Sequence, residues 1–341
     1  MRRPLFAFRT NGSASIGLGH VRRCLTLARE LHKRGAEVRF VVNQDPLVAA
    51  YLQKYGAESV PVDDADARDL RETRDFVKRW EAQALVVDSY AIPGECLADS
   101  GAPFVVVIDD VADRPFSIDL VVNGAANACD LSYQVLPKTR LLLGPEYVLL
   151  REEFAQEPTR QIRERVERVL IAVGGMDPFA LTPRLTAWTR EALGKVNIDV
   201  VVGPFFTKKS LRQTEQQGNG DNLVTVHQDP PNIRELMQAC DVAMAGGGQT
   251  TYELAATGTP TVAMRLAGNQ TGNLHGLASK GSLVWIGDGH NANLRDRVIQ
   301  AVHGLASNRS RRSEMSRLGR GLVDGLGAKR VVQAIFDACG T

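Results

Sequence analysis

The chain has no cysteine pair at a metal-binding or disulfide spacing. Its five cysteines, Cys24, Cys96, Cys129, Cys240 and Cys339, are scattered over 341 residues. An odd, dispersed set reads as reduced thiols and speaks against a disulfide framework or a cysteine zinc site. A charge excess is lacking too: 41 Lys and Arg against 39 Asp and Glu leave a net charge of +2. That balance falls well short of the basic footprint of a nucleic-acid-binding protein, so no nucleic-acid partner is expected. The cluster Arg309, Arg311 and Arg312 reads as a solvated helix face. Long hydrophobic runs are missing. The apolar stretch Leu5–Phe8 is cut by Arg9, too short for a signal peptide or a membrane span, and a cytoplasmic location is expected. There is no HExxH, DxD or clustered Cys/His motif, so no metal is expected.

What is present is aliphatic. Hydrophobic residues make up 44% of the chain and aromatics 6%, enough for sizeable cores. Short apolar runs alternate with helical patterns: LFAFR (5–9), EVRFVVN (37–43), ALVVDS (84–89), FVVVID (104–109) and DLVVN (119–123). The helical stretch VRRCLTLARELHKRG (21–35) stops at Gly35. The pattern weakens over the charged segment 153–167, which contains Pro158 and reads as a linker or exposed helix. It restarts with RVLIAVGG (168–175), NIDVVVG (197–203), LVTVHQ (223–228), DVAMAGG (241–247), PTVAMRL (260–266) and LVWIG (283–287). Continuous apolar strands between helices indicate parallel sheets buried on both faces. The expected fold is α/β, with two Rossmann-like domains, 1–152 and 153–341, facing across a cleft, the second carrying the terminal helices.

Three strand-to-glycine turns carry candidate chemistry. In SIGLGHVRR (15–23), Gly17 and Gly19 permit tight backbone geometry and His20 opens the following helix. The third glycine of a dinucleotide fingerprint is missing, which argues against a nicotinamide or flavin cofactor; none is expected. A helix N-terminus disfavours an imidazolium, so His20 reads either as a neutral base or as part of a capped surface turn. In AMAGGGQTTYELAATGTP (243–260), three glycines precede Thr250, Thr251 and, in the first helical turn, Glu253. Backbone amides and hydroxyls there suit a diphosphate and the carboxylate suits a ribose diol; a capped helix explains the same residues equally well. AVGGMDP (172–178) adds Gly174 and Gly175, with Asp177 read as a helix cap, and GNQTGN (268–273) follows a later strand. In the first half, Asp88, Tyr90, Asp109, Asp110 and Asn123 each follow an apolar strand and are expected along one rim of the sheet.

Taken in order, IGLGHVRRCLTLA, VVDSY, IDDVADRP, LLLGPEYVLLREEF, VGGMDP, GGGQTTYELAATGTP and GNQ resemble the UDP-sugar hydrolases of pseudaminic acid biosynthesis, relatives of the GT-B glycosyltransferases. The resemblance runs from about residue 5 to 290. It implies a GT-B-like, metal-independent enzyme that binds UDP mainly through the second domain. It makes His20 the base that activates water, and sets Tyr90 and Asn269 beside the sugar as further catalytic residues. Glu253 would hold the ribose, Gly247, Gly248 and Thr251 would face the diphosphate, and Gln270 would lie close to the sugar nucleotide. Asn11, Gly17, Gly19, Gly174, Gly175 and Thr250 complete the substrate-binding set. One departure stands out: the family pattern R-x-D-x-S-x-x-I-G-x-G-H reads RTNGSASIGLGH here, with Asn11 in place of the acid. An amide hydrogen-bonds but brings no negative charge. The expected function is hydrolysis of a UDP-sugar, and the resemblance implies an acetamido-deoxy sugar. The alternatives are a glycosyltransferase with the same donor and a non-catalytic nucleotide-sugar binding protein.

Overall fold

A computed structural model describes residues 3–13, 16–63, 67–157 and 160–340. Pro158 of the expected linker and Ser15 of the first glycine turn lie outside the described residues. The chain divides into two compact units, residues 1–151 with 326–341, and residues 152–325.

The first unit is built on β1 (Leu5–Thr10), α1 (Gly19–Lys33), β2 (Glu37–Asn43), α2 (Pro46–Lys54), β3 (Glu58–Val62), α3 (Ala67–Arg79), β4 (Ala84–Asp88), β5 (Val105–Ile108), β6 (Leu120–Asn123) and β7 (Arg140–Leu143). All seven strands run parallel in the order β3-β2-β1-β4-β5-β6-β7. Every residue of β1, β4, β5 and β6 is buried, as the unbroken apolar runs require. The two strands that the sequence pattern did not bring out, β3 and β7, are the sheet edges. β3 carries Pro61 and is largely solvent-facing, so it lacks the apolar run by which central strands are recognised. Helix α1 buries Val21, Cys24, Leu25, Ala28 and Leu31, one apolar face, and ends as expected at Gly35, whose φ is +82°.

The second unit contains β8 (Arg168–Ala172), α4 (Leu181–Leu193), β9 (Asn197–Val202), α5 (Lys208–Gly220), β10 (Val224–Gln228), α6 (Ile233–Ala239), β11 (Val242–Gly246), α7 (Thr250–Ala256), β12 (Thr261–Arg265), α8 (Thr271–Ser279), β13 (Val284–Asp288), α9 (Leu294–Ala306) and α10 (Arg309–Leu322). Its parallel sheet has the order β10-β9-β8-β11-β12-β13. Val169, Ile171, Val200, Val242, Met244 and Val262 form its core with Leu181, Leu185 and Val298 from α4 and α9.

In each sheet the strand order reverses once, between β1 and β4 and between β8 and β11. Loops that leave the carboxyl ends of the two central strands diverge at such a point and open a crevice between them. The turns carrying His20 and Asp88 flank the first switch point, and those carrying Gly174 and Gly247 flank the second.

Two features differ from the sequence reading. The last helix, α11 (Gly327–Cys339), belongs to the first unit although it follows the whole of the second in sequence. It packs there through Phe336 against Phe6, ring centroids 5.8 Å apart, and Arg34 donates to Gln333 Oε1 at 2.7 Å. Gly327 lies so close to Val148 that a Cβ would meet its carbonyl oxygen at 2.2 Å, and only glycine fits. Arg312, expected on a solvated face, is fully buried. It donates to the carbonyls of Leu305, Ala306, Arg163 and Glu164, satisfying the open C-terminal carbonyls of α9 and fastening segment 160–167. Arg160 fastens the same segment through Cys240 O and Thr259 Oγ1, so this stretch is a docked strap.

Candidate active site

In the first unit the glycine turn closes through Gly17 N–H donating to Ser13 O at 2.8 Å, with Gly17 at φ +86°, a conformation that favours glycine. Leu18 is the N-cap of α1 and its side chain caps nothing, so this is not the capped surface turn considered for the sequence. A Cβ at Gly19 would meet no atom within 4 Å, which leaves the helix start open beside His20.

His20 is largely buried, and its Nδ1 lies 2.6 Å from Asp88 Oδ1. Asp88 is fully buried at the end of β4. Arg23, one turn along α1 from His20, grips it with Nε to Oδ2 and NH2 to Oδ1, both at 2.6 Å. The third Arg23 nitrogen, NH1, donates to both oxygens of Asp110 at 2.8 and 2.9 Å. Asp110 in turn accepts the Tyr90 hydroxyl at 2.6 Å. The Tyr90 ring stands edge-on to the His20 ring, centroids 5.0 Å apart at 88°. The contacts thus form a closed circuit that returns to the imidazole.

Burial by itself would raise the Asp88 carboxyl. The Arg23 guanidinium and His20 outweigh it and hold Asp88 well below the ordinary carboxylate value. Asp110 is lowered in the same way, with Arg23 overcoming burial. Arg23 is likewise held in its charged form, the two carboxylates overcoming the cost of burying it. An ionised carboxylate only accepts, so Nδ1 carries the proton in this pair and the lone pair of neutral His20 resides on Nε2. Arg23 NH2 lies 3.1 Å from Nδ1, but both are then donors, and its proton goes to Asp88.

A stability consequence follows with a definite sign. A carboxyl depressed in the folded state stabilises fully above its unfolded value, near 3.8, and loses that contribution as pH falls through its lower folded value. The stability gap between the parent protein and Asp110→Asn, measured by urea unfolding, is therefore expected to narrow as pH drops below about 4. A gap constant from neutral pH to pH ~2.5 would mean that charge does not hold this network.

Of the rim residues expected together, Asp88, Tyr90 and Asp110 meet in this circuit. Asp109 and Asn123 are engaged elsewhere. Asp109 Oδ2 accepts from Val111 N, Ala112 N and the Tyr133 hydroxyl, and Asn123 donates to that same hydroxyl at 2.8 Å. They shape the loops after β5 and β6. Asn11 is buried after the end of β1, and the carboxylate paired with His20 is that of Asp88.

In the second unit the glycine loops are built by close packing. A Cβ at Gly246 would lie 2.4 Å from Val173 O, and one at Gly247 2.6 Å from Leu274. Gly174, at φ +129°, and Gly175 have no atom within 4 Å of where a Cβ would stand, so their exposed side is open. Gly248 is also open, its nearest neighbour being Gln270 Nε2 at 3.7 Å. Gln270 Oε1 accepts from Leu266 N at 2.8 Å and Ala267 N at 3.3 Å, which fixes the side chain with its NH2 end toward Gly248. Asn273, which the sequence did not single out, donates to Gly247 O at 2.7 Å and holds that carbonyl inward. Thr251 is buried, and its hydroxyl donates to Gly248 O at 2.8 Å; the side chain supports the loop and does not face outward. Thr250 is half-buried, Glu253 is half-buried in the first turn of α7, and Asn269 is exposed. Asp177 accepts from Leu181 N and Thr182 N, the helix cap its spacing suggested.

Arg23 is the member of the circuit that the sequence reading did not single out. The only local signal for Arg23 was its spacing of three from His20 on one helix face. Among the described residues no group of three or more His, Cys, Asp or Glu is arranged to hold a metal ion, and no helix is long and apolar enough to cross a membrane.

No family model matches the chain. Among curated proteins it is 27% identical over 271 residues to an uncharacterized protein of Methanocaldococcus jannaschii, covering 75% of this chain and 54% of that one. The chain thus spans about half the length of that relative. It is 24% identical to the spore coat polysaccharide biosynthesis protein SpsG of Bacillus subtilis, covering 96% of each. It is also 24% identical to the UDP-2,4-diacetamido-2,4,6-trideoxy-beta-L-altropyranose hydrolase of Campylobacter jejuni, covering 80% of this chain and 96% of that one. Among solved structures it superposes on MurG of Acinetobacter baumannii with a TM-score of 0.70 at 15% identity, covering 98% of this chain and 100% of that one. The UDP co-structure of S. aureus MnaA gives 0.69 at 10% identity, covering 100% and 97%. Two parallel-sheet Rossmann-like units and these superpositions make the fold that of the GT-B glycosyltransferases, carried by a chain similar over most of its length to a UDP-sugar hydrolase.

Proposed function

We propose that this protein hydrolyses a UDP-sugar at its anomeric carbon, releasing UDP and the free sugar. The observation that carries the reading is the His20–Asp88 pair, which commits Nδ1 and leaves Nε2 as the basic atom. Water attacks the anomeric carbon and gives a proton to Nε2. The bond between that carbon and the diphosphate oxygen breaks, and its electron pair leaves with UDP. Asp88 stabilises the imidazolium as it forms. The loops at Gly174, Gly175 and Gly248, where a Cβ would find no atom closer than 3.7 Å, and the Gln270 NH2 are assigned to the diphosphate. Similarity to the Campylobacter jejuni hydrolase supports water as the acceptor and an acetamido-deoxy sugar as the glycosyl group. The GT-B fold supports a second reading, transfer to an acceptor hydroxyl, in which His20 deprotonates that hydroxyl instead.

The test is turnover of a panel of UDP-sugars in oxygen-18 water with no acceptor. UDP release with label on the sugar, read promptly because a reducing sugar exchanges its anomeric oxygen, is the expected result. Label in UDP would mean attack at phosphorus and would end the proposal. Release that begins only on adding an acceptor would establish the transferase.

Glu253 is assigned to the ribose. Glu253→Ala is expected to weaken UDP binding by about 1.5–3 kcal/mol in calorimetry, the range for hydrogen bonds to a charged group. Unchanged affinity with a large loss of stability would reduce Glu253 to a helix-terminal charge.

A further inference from the structure

We propose that Asp110 is a positioning residue of this site: working through Arg23, it governs how much of the Asp88 charge reaches His20, and it holds Tyr90 against the imidazole. The inference rests on His20 being the base, but its geometry stands by itself. One guanidinium is shared between two carboxylates, with two nitrogens on Asp88 and the third on Asp110. Arg23 alone on Asp88 would neutralise it, and the imidazole would face an ion pair without net charge. Asp110 draws on the same cation, so two carboxylates and one guanidinium leave one net negative charge beside His20. A proton arriving on Nε2 then brings the circuit to neutrality. The charge is arranged for the state after proton transfer, which is where it aids catalysis.

The surrounding groups do not cancel this charge. On α1, the Cys24 thiol is pushed up by burial and by Asp88, so it stays protonated. After β4, Tyr90 is a hydroxyl donor. After β5, Asp109 is held by backbone N–H groups and Tyr133, while Arg114 donates to the carbonyls of Ser89 and Tyr90 and lies 3.6 Å from Asp113. On β1, Arg9 is paired with Asp69. Arg114 also restrains the backbone that presents Tyr90, so the ring is fixed at both ends, by its carbonyl and by its hydroxyl.

The test follows the His20 imidazole signal by NMR, assigned through its loss in His20→Asn, together with the pH profile of kcat/KM. In Asp110→Asn the His20 titration midpoint is expected to fall by roughly 0.5–1 pH unit relative to the parent, because a negative charge is removed. In Arg23→Gln, which removes the positive charge, it is expected to rise by a similar amount. Tyr90→Phe keeps every charge and is expected to leave the midpoint within about 0.2 unit. A midpoint that stays put or rises in Asp110→Asn overturns the proposal. If that variant does not fold, a midpoint that stays put or falls in Arg23→Gln overturns it equally. The two readings separate cleanly. Midpoints that move as stated while the kcat/KM profile does not follow them would uphold the charge arrangement and remove His20 from the role of base.

Discussion

On the proposed reading, replacing His20 by Ala is expected to lower kcat for UDP release by about 10²- to 10⁴-fold, the usual loss on removing a general base. UDP affinity is expected to stay within roughly a factor of two, because the proposal assigns the nucleotide to the loops of the second unit and His20 belongs to the first. The measurement is steady-state turnover beside UDP calorimetry, with circular dichroism confirming the fold. Turnover near that of the parent would remove His20 from the chemistry. A loss expressed wholly in KM would make it a binding residue instead.

Asp88→Asn is expected to be nearly as damaging, about 10²- to 10⁴-fold in kcat. The carboxylate accepts from His20 Nδ1 on one oxygen and from Arg23 on both. An amide has only one acceptor atom. With its NH2 toward His20, it favours the tautomer protonated on Nε2, which removes the base. With its NH2 toward Arg23 Nε, donor faces donor in a buried place. Either arrangement costs activity or stability, and urea unfolding separates the two. If the pair acts as a unit, the double variant His20→Ala with Asp88→Asn should be little slower than His20→Ala alone. Losses that multiply would show two independent roles and would sink the dyad.

The departure at position 11 changes meaning in this light. Asn11 stands where the resembled pattern has Asp, and nothing local in the sequence ties Asp88, expected only along the sheet rim, to His20. The carboxylate comes from the end of β4, 68 residues away along the chain. It is adjacent because β4 pairs with β1, a fact of strand order. The candidate nucleotide loops show the converse. Gly247, Gly248 and Gln270 were legible as residue types, yet the inward turn of Thr251 and the grip of Asn273 on the Gly247 carbonyl were not. Which way a hydroxyl or amide points depends on α8 packing against the loop after β11, and no local spacing records it.

By itself the sequence determined the α/β class, most central strands, the stop of α1 at Gly35 and the glycine turn that opens at His20. These follow from local causes: unbroken apolar runs, helical periodicity and the few residues that accept a positive φ. Tertiary structure decided which carboxylate serves which cation, why Arg312 is inside, and why the last helix returns to the first unit. Arg23 and Asp110 are 87 residues apart and meet only because the strand order reverses between β1 and β4. Arg312 is buried because the carbonyls ending α9 and those of segment 160–167 converge on one guanidinium. Helix α11 completes the packing of Phe6 and Val148, residues separated from it by the entire second unit. Local pattern selects the elements and tells which side chains are able to react. Only the order in which strands assemble selects their partners, because hydrogen bonds and ion pairs are set by distance in space.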